Sequence, residues 1–555
     1  MPADTLIHAA IVDALPSLLV GVDWRNVMED GTRLVLERQA LREFLRRQRW
    51  FSSKAREIRH ARFTDWTALT DDPDPAFLTI ASVEYADGWS ESYLVPLSLL
   101  SGEAAERVLK QSPSTVLARI TGPREGAIAD AVQSDDMCDR MLGIIGRSED
   151  IPTKLGRVQG LIVPNSRFAI NPQPEIRNPQ SKHRWRRESG DQSNSVAFAD
   201  DRFVLKLFRR IEPAPNPEFE IGRFLTERGF ARTPPIGGAL QYLRAGLEPG
   251  TLAIVQAAVR HQGSGWDYTL DDLRSYYERV VTRVRSATLP AILPPHAPEA
   301  PTPFFTALEH WYLQTAATLG RRTAELHATL AGATDAAFAP EPLDPAALER
   351  LAEDMRAHAA TTLDTLGRRV GTLNGASGVH ARAVLDHRAA VLARFDQIRG
   401  LDAAGWRIRI HGDFHLGQVL RTEEDFVILD FEGEPARPLE ERRARQSPLK
   451  DLAGMARSYS YAAYAALFSF TTHAPDDYTL LEPWAEGWQH WAADAFLGGY
   501  ASAIGDRPLA PSQRAWRPLL AAFMLDKALY ELGYELNNRP DWVRIPLMGI
   551  RTLIT

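Results

Sequence analysis

The stretch His411-Gly412-Asp413-Phe414-His415-Leu416-Gly417-Gln418, followed by the apolar run Val427-Ile428-Leu429 that ends in Asp430-Phe431-Glu432, constrains this chain more than any other feature. It sets two carboxylates and an amide at strand ends or in a tight loop. One carboxylate can accept the proton of a hydroxyl nucleophile, while the amide and the second carboxylate can hold magnesium against a nucleoside triphosphate. The residues therefore point to phosphoryl transfer, and the rest of the chain must supply the nucleotide site and choose the hydroxyl.

At 555 residues the chain is too long for one core and divides into several domain-sized parts. A net charge of -7, a pI near 6.1 and Lys and Arg interspersed with Asp and Glu leave no basic stripe, so neither nucleic acid nor an anionic membrane is expected as a partner. Cys138 is the one cysteine and sits among Asp135, Asp136 and Asp139, which raise a thiol pKa, so it reads as inert. No run approaches the ~20 apolar residues of a membrane span. The segment before Arg25 carries no Lys or Arg, unlike the basic start of a signal peptide. A cytoplasmic enzyme is the expectation.

Along the chain, Leu34 to Arg47 repeats apolar residues at helical spacing. Phe77–Ile80 and Ser92–Leu97 flank Ala86-Asp87-Gly88, a hairpin signal. The patch Leu15–Val22, broken by Pro16, reads as a packing strand, Gly126–Ile145 as a helix, and Val158–Val163 as an apolar strand. Ile170–Arg187 is a loop by composition, and Pro290–Pro303 a proline-rich connector leading into a helix over Phe305–Leu330. From Glu188 the pattern is strand, glycine loop, strand and helix; beyond about Gly263 it is helical except around the opening motif.

On the nucleotide side, Glu188-Ser189-Gly190-Asp191-Gln192-Ser193-Asn194-Ser195 is small and polar enough to let backbone N–H groups approach phosphate oxygens, with Ser193, Asn194 and Ser195 as candidates. It lacks the Gly-Lys-Ser/Thr ending of a Walker A loop, and a plain hairpin turn is the alternative. Lys206 follows within Phe203-Val204-Leu205-Lys206-Leu207-Phe208, where a buried ammonium needs a partner; an edge-strand lysine facing water is the alternative. Asn216 and Pro217 open a helix, and a glutamate from it would hold Lys206 against the α- and β-phosphates. Glu220 is preferred to Glu218, which stands in the first turn and answers the helix dipole. Leu252–Gln256 reads as the strand entering the adenine-binding hinge.

Within the opening motif, Asp413 follows the strand-like Trp406–Ile410 and is placed as the base; Gln418 and Asp430 are the metal ligands, and His411 supports the loop. A zinc cluster of His411, Asp413 and His415 lacks further His or Cys nearby. A purely structural turn accounts for Gly412 and Gly417 and leaves Asp430 and Glu432 unexplained.

At this point the chain resembles the maltokinases. The resemblance rests on His411–Gln418, on Asp430-Phe431-Glu432-Gly433-Glu434-Pro435, and on Ser447-Pro448-Leu449-Lys450-Asp451-Leu452-Ala453-Gly454-Met455. It extends to Gln48-Arg49-Trp50-Phe51, Leu205-Lys206-Leu207-Phe208-Arg209, Asn216–Leu225, Lys527-Ala528-Leu529-Tyr530-Glu531, Tyr534-Glu535, Asn538-Arg539-Pro540 and Trp542, nearly the whole chain. The resemblance implies an α+β, bilobal protein-kinase-like fold similar to aminoglycoside phosphotransferases. Its parts would be a mixed α/β cap over residues 1–100, a β-rich small lobe over 101–262 and a mostly helical lobe over 263–555. It implies MgATP as cofactor and maltose as substrate, phosphorylated at the anomeric hydroxyl to maltose 1-phosphate for α-glucan synthesis, with Asp413 as base and Gln418 and Asp430 as magnesium ligands. Such kinases are often fused behind a trehalose synthase, and the segment before Arg49 looks like such a join, so a link to that enzyme is expected.

Sugar hydroxyls are read by carboxylates and arginines, and sugar rings stack on aromatic faces. Glu432, Glu434, Arg437, Asp451 and Arg457 follow the metal site, and Tyr530, Glu531, Tyr534, Glu535 and Arg539 recur at helical spacing near the end. Together they are the expected sugar pocket, against the plainer reading of a helix packing its aromatics and solvating its acids. Another sugar or an aminosugar such as glucosamine is the alternative acceptor, with acids such as Glu531 and Glu535 free to meet an amine. A catalytically silent glycan- or nucleotide-sensing module would lack a catalytic element, whereas Lys206, Asp413, Gln418 and Asp430 are all present.

Overall fold

The structure is a computed structural model, and it describes residues 11–12, 14–70, 72–164, 183–187, 193–285, 301–423 and 425–554. Most of the expected 170–187 loop, positions 188–192 of the glycine loop and most of the expected proline-rich connector lie outside these residues. The chain forms two compact units, one of residues 1–229 with 234–259 and one of residues 230–233 with 260–555.

The first unit carries two sheets. One contains β1 (Ser17–Leu19), β2 (Ile58–Ala68), β3 (Ala76–Tyr85), β4 (Ser90–Leu94), β5 (Leu97–Ser101), β6 (Val116–Thr121), β7 (Gly126–Asp130) and, later in the chain, the short β13 (Arg210–Ile211), in the order β1-β6-β7-β5-β3-β4-β13 with β2 beside β3. Helices α1 (Asp30–Leu36) and α2 (Arg42–Arg47) run on through a π-helical turn at Glu37–Leu41 and bury Leu41, Phe44 and Leu45 in the core of this sheet, beside Trp50 and Phe51. The hairpin between β3 and β4 turns at Gly88, whose φ of +84° suits a residue without a Cβ.

Two expectations fail here for one reason. The boundary at residue 100 falls inside the sheet, because β5 pairs with β7 from Leu97↔Asp130 to Ser101↔Gly126. The helix expected over Gly126–Ile145 begins as strand β7, whose Ala127, Ile128 and Ala129 are fully buried in that sheet, and helix starts only after Ser134. Pairing with a strand distant in sequence overrides local helical spacing. Between α2 and β7 runs α3 (Gly102–Gln111), and α4 (Asp135–Gly146) follows, its first turn capped by the Ser134 hydroxyl accepting from the Met137 N–H. Cys138 on α4 is buried, and burial, ahead of its acidic neighbours, pushes its thiol up to about 12.

The second sheet is antiparallel, in the order β10 (Trp185–Arg187), β11 (Ser195–Ala199), β12 (Phe203–Leu207), β15 (Gly250–Ala257), β14 (Ile236–Leu243), β9 (Arg157–Ile162) and β8 (Asp150–Pro152). Alternation along β12 puts Phe203, Leu205 and Leu207 into a core shared with Met141 and Ile145 of α4. The opposite face carries Val204 and Lys206 towards α5 (Pro217–Glu227), where Phe208, Phe219 and Ile254 form a smaller cluster. Buried carboxylates join the two sheets. Asp65 on β2 accepts from the Thr153 and Tyr242 hydroxyls, both at 2.6 Å, and Asp130 accepts from Arg209 at 2.7 Å. The Arg209 guanidinium lies 4.8 Å over the Trp50 ring, so a residue of the resemblance at position 50 works as a packing anchor.

The second unit is helical: α6 (Gly265–Arg285), α7 (Pro303–Ala331), α8 (Pro345–Arg369), α9 (Gly375–Asp386), α10 (Arg388–Asp396), α11 (Leu439–Arg443), α12 (Leu449–Thr471), α13 (Asp477–Ile504), α14 (Gln513–Asn538) and α15 (Arg544–Ile554). Two small ribbons interrupt it, β16 (Glu341–Pro342) with β17 (Trp406–Arg407), and β18 (Val419–Arg421) with β19 (Phe426–Ile428). Helix α12 is buried around nearly its whole circumference, the mark of a central helix. Among the described residues no helix is long and apolar enough to cross a membrane.

Candidate active site

Lys206 lies in an interior strand, paired through Val196 to β11 and through Ile254 to β15, and it is buried, which removes the edge-strand alternative. Its ammonium donates to Glu218 Oε2 at 2.6 Å. The expected partner Glu220 is thereby corrected to Glu218. Two residues on a helix are about 200° apart, so the two glutamates face opposite ways, and it is Glu218 that the first turn of α5 turns inward. That turn is set by Asn216, whose side chain accepts from the Glu218 N–H at 2.8 Å, and by Pro217 in the first turn. The Ser195 hydroxyl accepts from Arg209 Nε at 2.7 Å at the start of β11, so what this residue can offer a phosphate is its backbone N–H. Ser193 is exposed and Asn194 half-buried in the bend just before that strand.

In the second unit the opening motif forms a loop that α12 holds from beneath. Asp451, Gly454 and Ser458 stand on one face of that helix at i, i+3 and i+7. Asp451 accepts from the backbone N–H of His411 and of Gly412, each at 2.9 Å, and from His327 Nε2 on α7 at 3.0 Å. Gly454 lets the helix come close, since a Cβ there would lie 2.6 Å from the Phe414 carbonyl oxygen. The Ser458 hydroxyl accepts from the Leu416 N–H at 3.1 Å. Burial works against the Asp451 carboxylate, but its bond to His327 and the Gly412 N–H outweigh it and keep its pKa below the ordinary range. Asp451 was expected to read sugar; every oxygen of its carboxylate is instead spent on the loop.

His411 fixes the same loop from inside. Its Nε2–H donates to the Leu429 carbonyl at 2.7 Å, which leaves Nδ1 to accept the Asp413 N–H at 3.4 Å. The ring packs between Phe414 and Phe431, with centroids 5.1 and 5.0 Å away. Gly412, at φ +85°, makes the bend that turns Asp413 outward.

The β18–β19 hairpin carries the other acidic group. Asp425 in its turn is clamped by Arg322 through two bonds of 2.7 and 2.8 Å and by Arg232 at 2.8 Å. Asp430 follows β19 with φ +62°, a conformation that costs a non-glycine residue about 1–3 kcal/mol and concentrates at functional sites. Gln418 Nε2 donates to Asp430 Oδ2 at 2.9 Å, and carboxylate oxygens of Asp430 and Glu432 lie within 4.8 Å of one another. Two carboxylates and an amide form an all-oxygen set when the amide turns over, the donor chemistry that suits a hard divalent cation such as Mg2+.

The base candidate has a neighbour that the sequence reading left out of the site. Lys527 on α14 donates to Asp413 Oδ1 at 3.2 Å and to Glu434 Oε1 at 2.6 Å, and its ammonium lies 4.8 Å over the Tyr530 ring. Burial works against this ammonium, but Asp413 and Glu434 outweigh it and hold it above the usual lysine range. For Glu434 burial opposes ionisation too, and Lys527 and Lys450 win, leaving it below the usual carboxylate range. Arg437 donates to Glu434 at 3.2 Å, so Asp413, Glu434, Arg437, Lys527 and Tyr530 line one cleft. Of the expected sugar residues the structure brings Glu434, Arg437 and Tyr530 together at the base, with Glu432 beside Asp430.

The remaining expected members stand elsewhere. Glu531 is tied to Arg457 by bonds of 2.9 and 2.7 Å, and Arg457 lines a different cavity. Glu535 is buried and accepts from Arg539 at 2.9 and 2.6 Å and from the Tyr461 hydroxyl at 3.3 Å, with Tyr534 exposed. Lys527 had a signal, since it shares a helical face with Glu531 four residues on. His327, a lone histidine within an ordinary helix, had none.

Residues 44–133 match the maltokinase N-terminal cap domain, a span that, like the first sheet, runs past residue 100. The glucosamine kinase of Streptacidiphilus jiangxiensis is 28% identical over 371 residues, which cover 66% of this chain and 72% of that one. The glucosamine kinase of Mycolicibacterium smegmatis is 26% identical over 374 residues, 66% of this chain and 78% of that one. A solved glucosamine kinase in complex with glucosamine, ADP and inorganic phosphate superposes with a TM-score of 0.57 at 22% identity, over 92% of this chain and 99% of that chain, so the fold is shared. The chain is thus similar to maltokinases in its N-terminal cap and to sugar kinases over most of its length, and it shares their α+β fold.

Proposed function

We propose that this chain phosphorylates maltose at its anomeric hydroxyl, using MgATP. It is an ATP-dependent phosphotransferase acting on sugars. Lys206, fixed by Glu218, serves the nucleotide phosphates in the first unit. In the second unit Asp413 accepts the proton of the acceptor hydroxyl, and Asp430, Glu432 and Gln418 would hold the magnesium ion, which neutralises charge on the phosphates when bound. The chain's own contribution is positioning: the loop holding Asp413 is fixed by Asp451, His411 and Ser458 before any substrate arrives.

One observation carries the choice of a neutral sugar. The acids that would have met a cationic acceptor are already matched: Glu434 by Lys527 and Arg437, Glu531 by Arg457, and Glu535 by Arg539. A neutral disaccharide asks only for hydrogen bonds and an aromatic face, which Glu434, Arg437 and Tyr530 supply. Glucosamine is the second reading, supported by the two relatives named glucosamine kinase that align over most of their length. A physiological link to α-glucan synthesis and to a trehalose synthase, in the cytoplasm, is part of the maltose reading.

The experiment is product identification by 31P and 13C NMR after incubation with MgATP and either maltose or glucosamine. Maltose 1-phosphate as the preferred product supports the proposal; transfer to glucosamine alone overturns the choice of sugar. Asp413→Asn should abolish turnover while nucleotide binding stays nearly intact, and full activity of that variant would refute the base.

A further inference from the structure

Away from the Asp413 cleft, the second unit contains a cavity of about 400 Å³ between α12, α13, α14 and α15, within the range of small-molecule sites (about 300–1,000 Å³). Its wall is built with helical regularity. Arg457, Ser460 and Tyr464 line it from one face of α12 at i, i+3 and i+7, and Glu486, His490 and Asp494 from one face of α13 at i, i+4 and i+8. Met524, Leu497 and Met548 supply apolar surface between these polar groups.

Two observations mark it as more than a packing gap. The Tyr464 hydroxyl is buried and has no hydrogen-bond partner among the described residues, an unfavourable state that a ligand oxygen would relieve. Gly549 on α15 faces Arg457, and a Cβ there would lie 2.2 Å from Nη1, so this position leaves room for the guanidinium where any larger residue would press on it. Arg457 keeps Nη1 towards Ser460 at a loose 3.4 Å, while Nε and Nη2 engage Glu531.

The charges select the ligand. Arg457 is neutralised by Glu531, which leaves Glu486 and Asp494 as the formal charges of the lining and disfavours phosphates, nucleotides and carboxylates. Carboxylates accept from hydroxyl or amine protons, and the Tyr464 hydroxyl needs an acceptor oxygen. We infer that this cavity is a second small-molecule site, one that takes a neutral or amine-bearing polyol of one or two sugar rings. It is separate from the Asp413 cleft and does not depend on which sugar is phosphorylated there. The Arg457–Glu531 pair joins the two places, because Glu531 stands one helical turn from Lys527 on α14.

Equilibrium dialysis of the full chain with labelled maltose and with labelled glucosamine, alongside turnover assays, tests it. Two molecules bound per chain are expected for at least one probe. Ala493→Phe, which fills the cavity, should reduce this to one while the chain still turns over. Tyr464→Phe should leave thermal stability unchanged or raised and weaken the second binding event about fivefold to tenfold, the loss of one hydrogen bond. One molecule per chain for both probes, or two in Ala493→Phe, overturns the inference; if Ala493→Phe does not fold, unweakened binding in Tyr464→Phe overturns it. Loss of maltose turnover in the wild type would count against the proposed activity alone.

Discussion

Replacing Asp451 with Asn separates a loop-holding role from a sugar-reading one. Its carboxylate accepts three N–H bonds, from His411 and Gly412 at 2.9 Å each and from His327 at 3.0 Å, and it is fully buried. Asparagine keeps a single acceptor oxygen and turns its NH2 towards another N–H donor, so at least one charge-assisted bond is lost and a buried donor is left unpaired. Hydrogen bonds to a charged group contribute about 1.5–3 kcal/mol each, and breaking a buried charged pair costs about 3–5 kcal/mol; we expect a loss of about 3 kcal/mol. Thermal unfolding at pH 7 should then fall by roughly 6 °C, taking about 2 °C per kcal/mol for a unit this large. Because the same bonds position Asp413, kcat should fall about tenfold to hundredfold with little change in acceptor KM. The pH dependence has a definite sign: the folded pKa of Asp451 is held down, so its stabilisation is present above the ordinary aspartate pKa near 4 and is lost as pH falls through the folded value. The gap between wild type and variant should therefore be full at pH 7 and narrow in acid. An unchanged melting temperature with a raised acceptor KM would refute this reasoning and restore the sugar-contact role.

Glu218→Gln should raise the KM for ATP roughly tenfold or more, the loss of a charge-assisted bond to Lys206, while Glu220→Gln changes it little; equal effects would sink the pairing. In Gly454→Ala the new Cβ presses on the Phe414 carbonyl, so a loss of about 1–3 kcal/mol and a fall in kcat are expected from denaturant unfolding and initial rates. Lys527→Met removes the cation that holds Glu434 ionised, so the acid limb of the acceptor KM profile should move to higher pH; an unmoved limb would place Lys527 outside the site.

The chemistry of phosphoryl transfer was legible in the sequence because it depends on residue types at short spacing. Asp413, Gln418 and Asp430 lie in one stretch of chain, and Lys206 stands out as an ammonium inside an apolar strand. The cap was legible only by resemblance, and its limit was misplaced, since β5 and β7 pair across an intervening helix and strand. Choosing Glu218 over Glu220 needed the direction of the first turn of α5, which a one-residue difference in where a helix starts would reverse. Asp451 and Arg457 have the composition of a sugar pocket, yet each is taken up by a partner on another helix, His327 and Glu531, while Glu535 pairs with Arg539 four residues on at the end of its own helix. Lys527 joins Asp413 only because α14 packs beside a loop more than a hundred residues earlier. The sequence by itself determined which groups are on offer for the proposed reaction, because bonding chemistry belongs to side chains. The tertiary structure decided which acids remain available to a substrate, because charge neutralisation depends on distances between residues far apart in the chain.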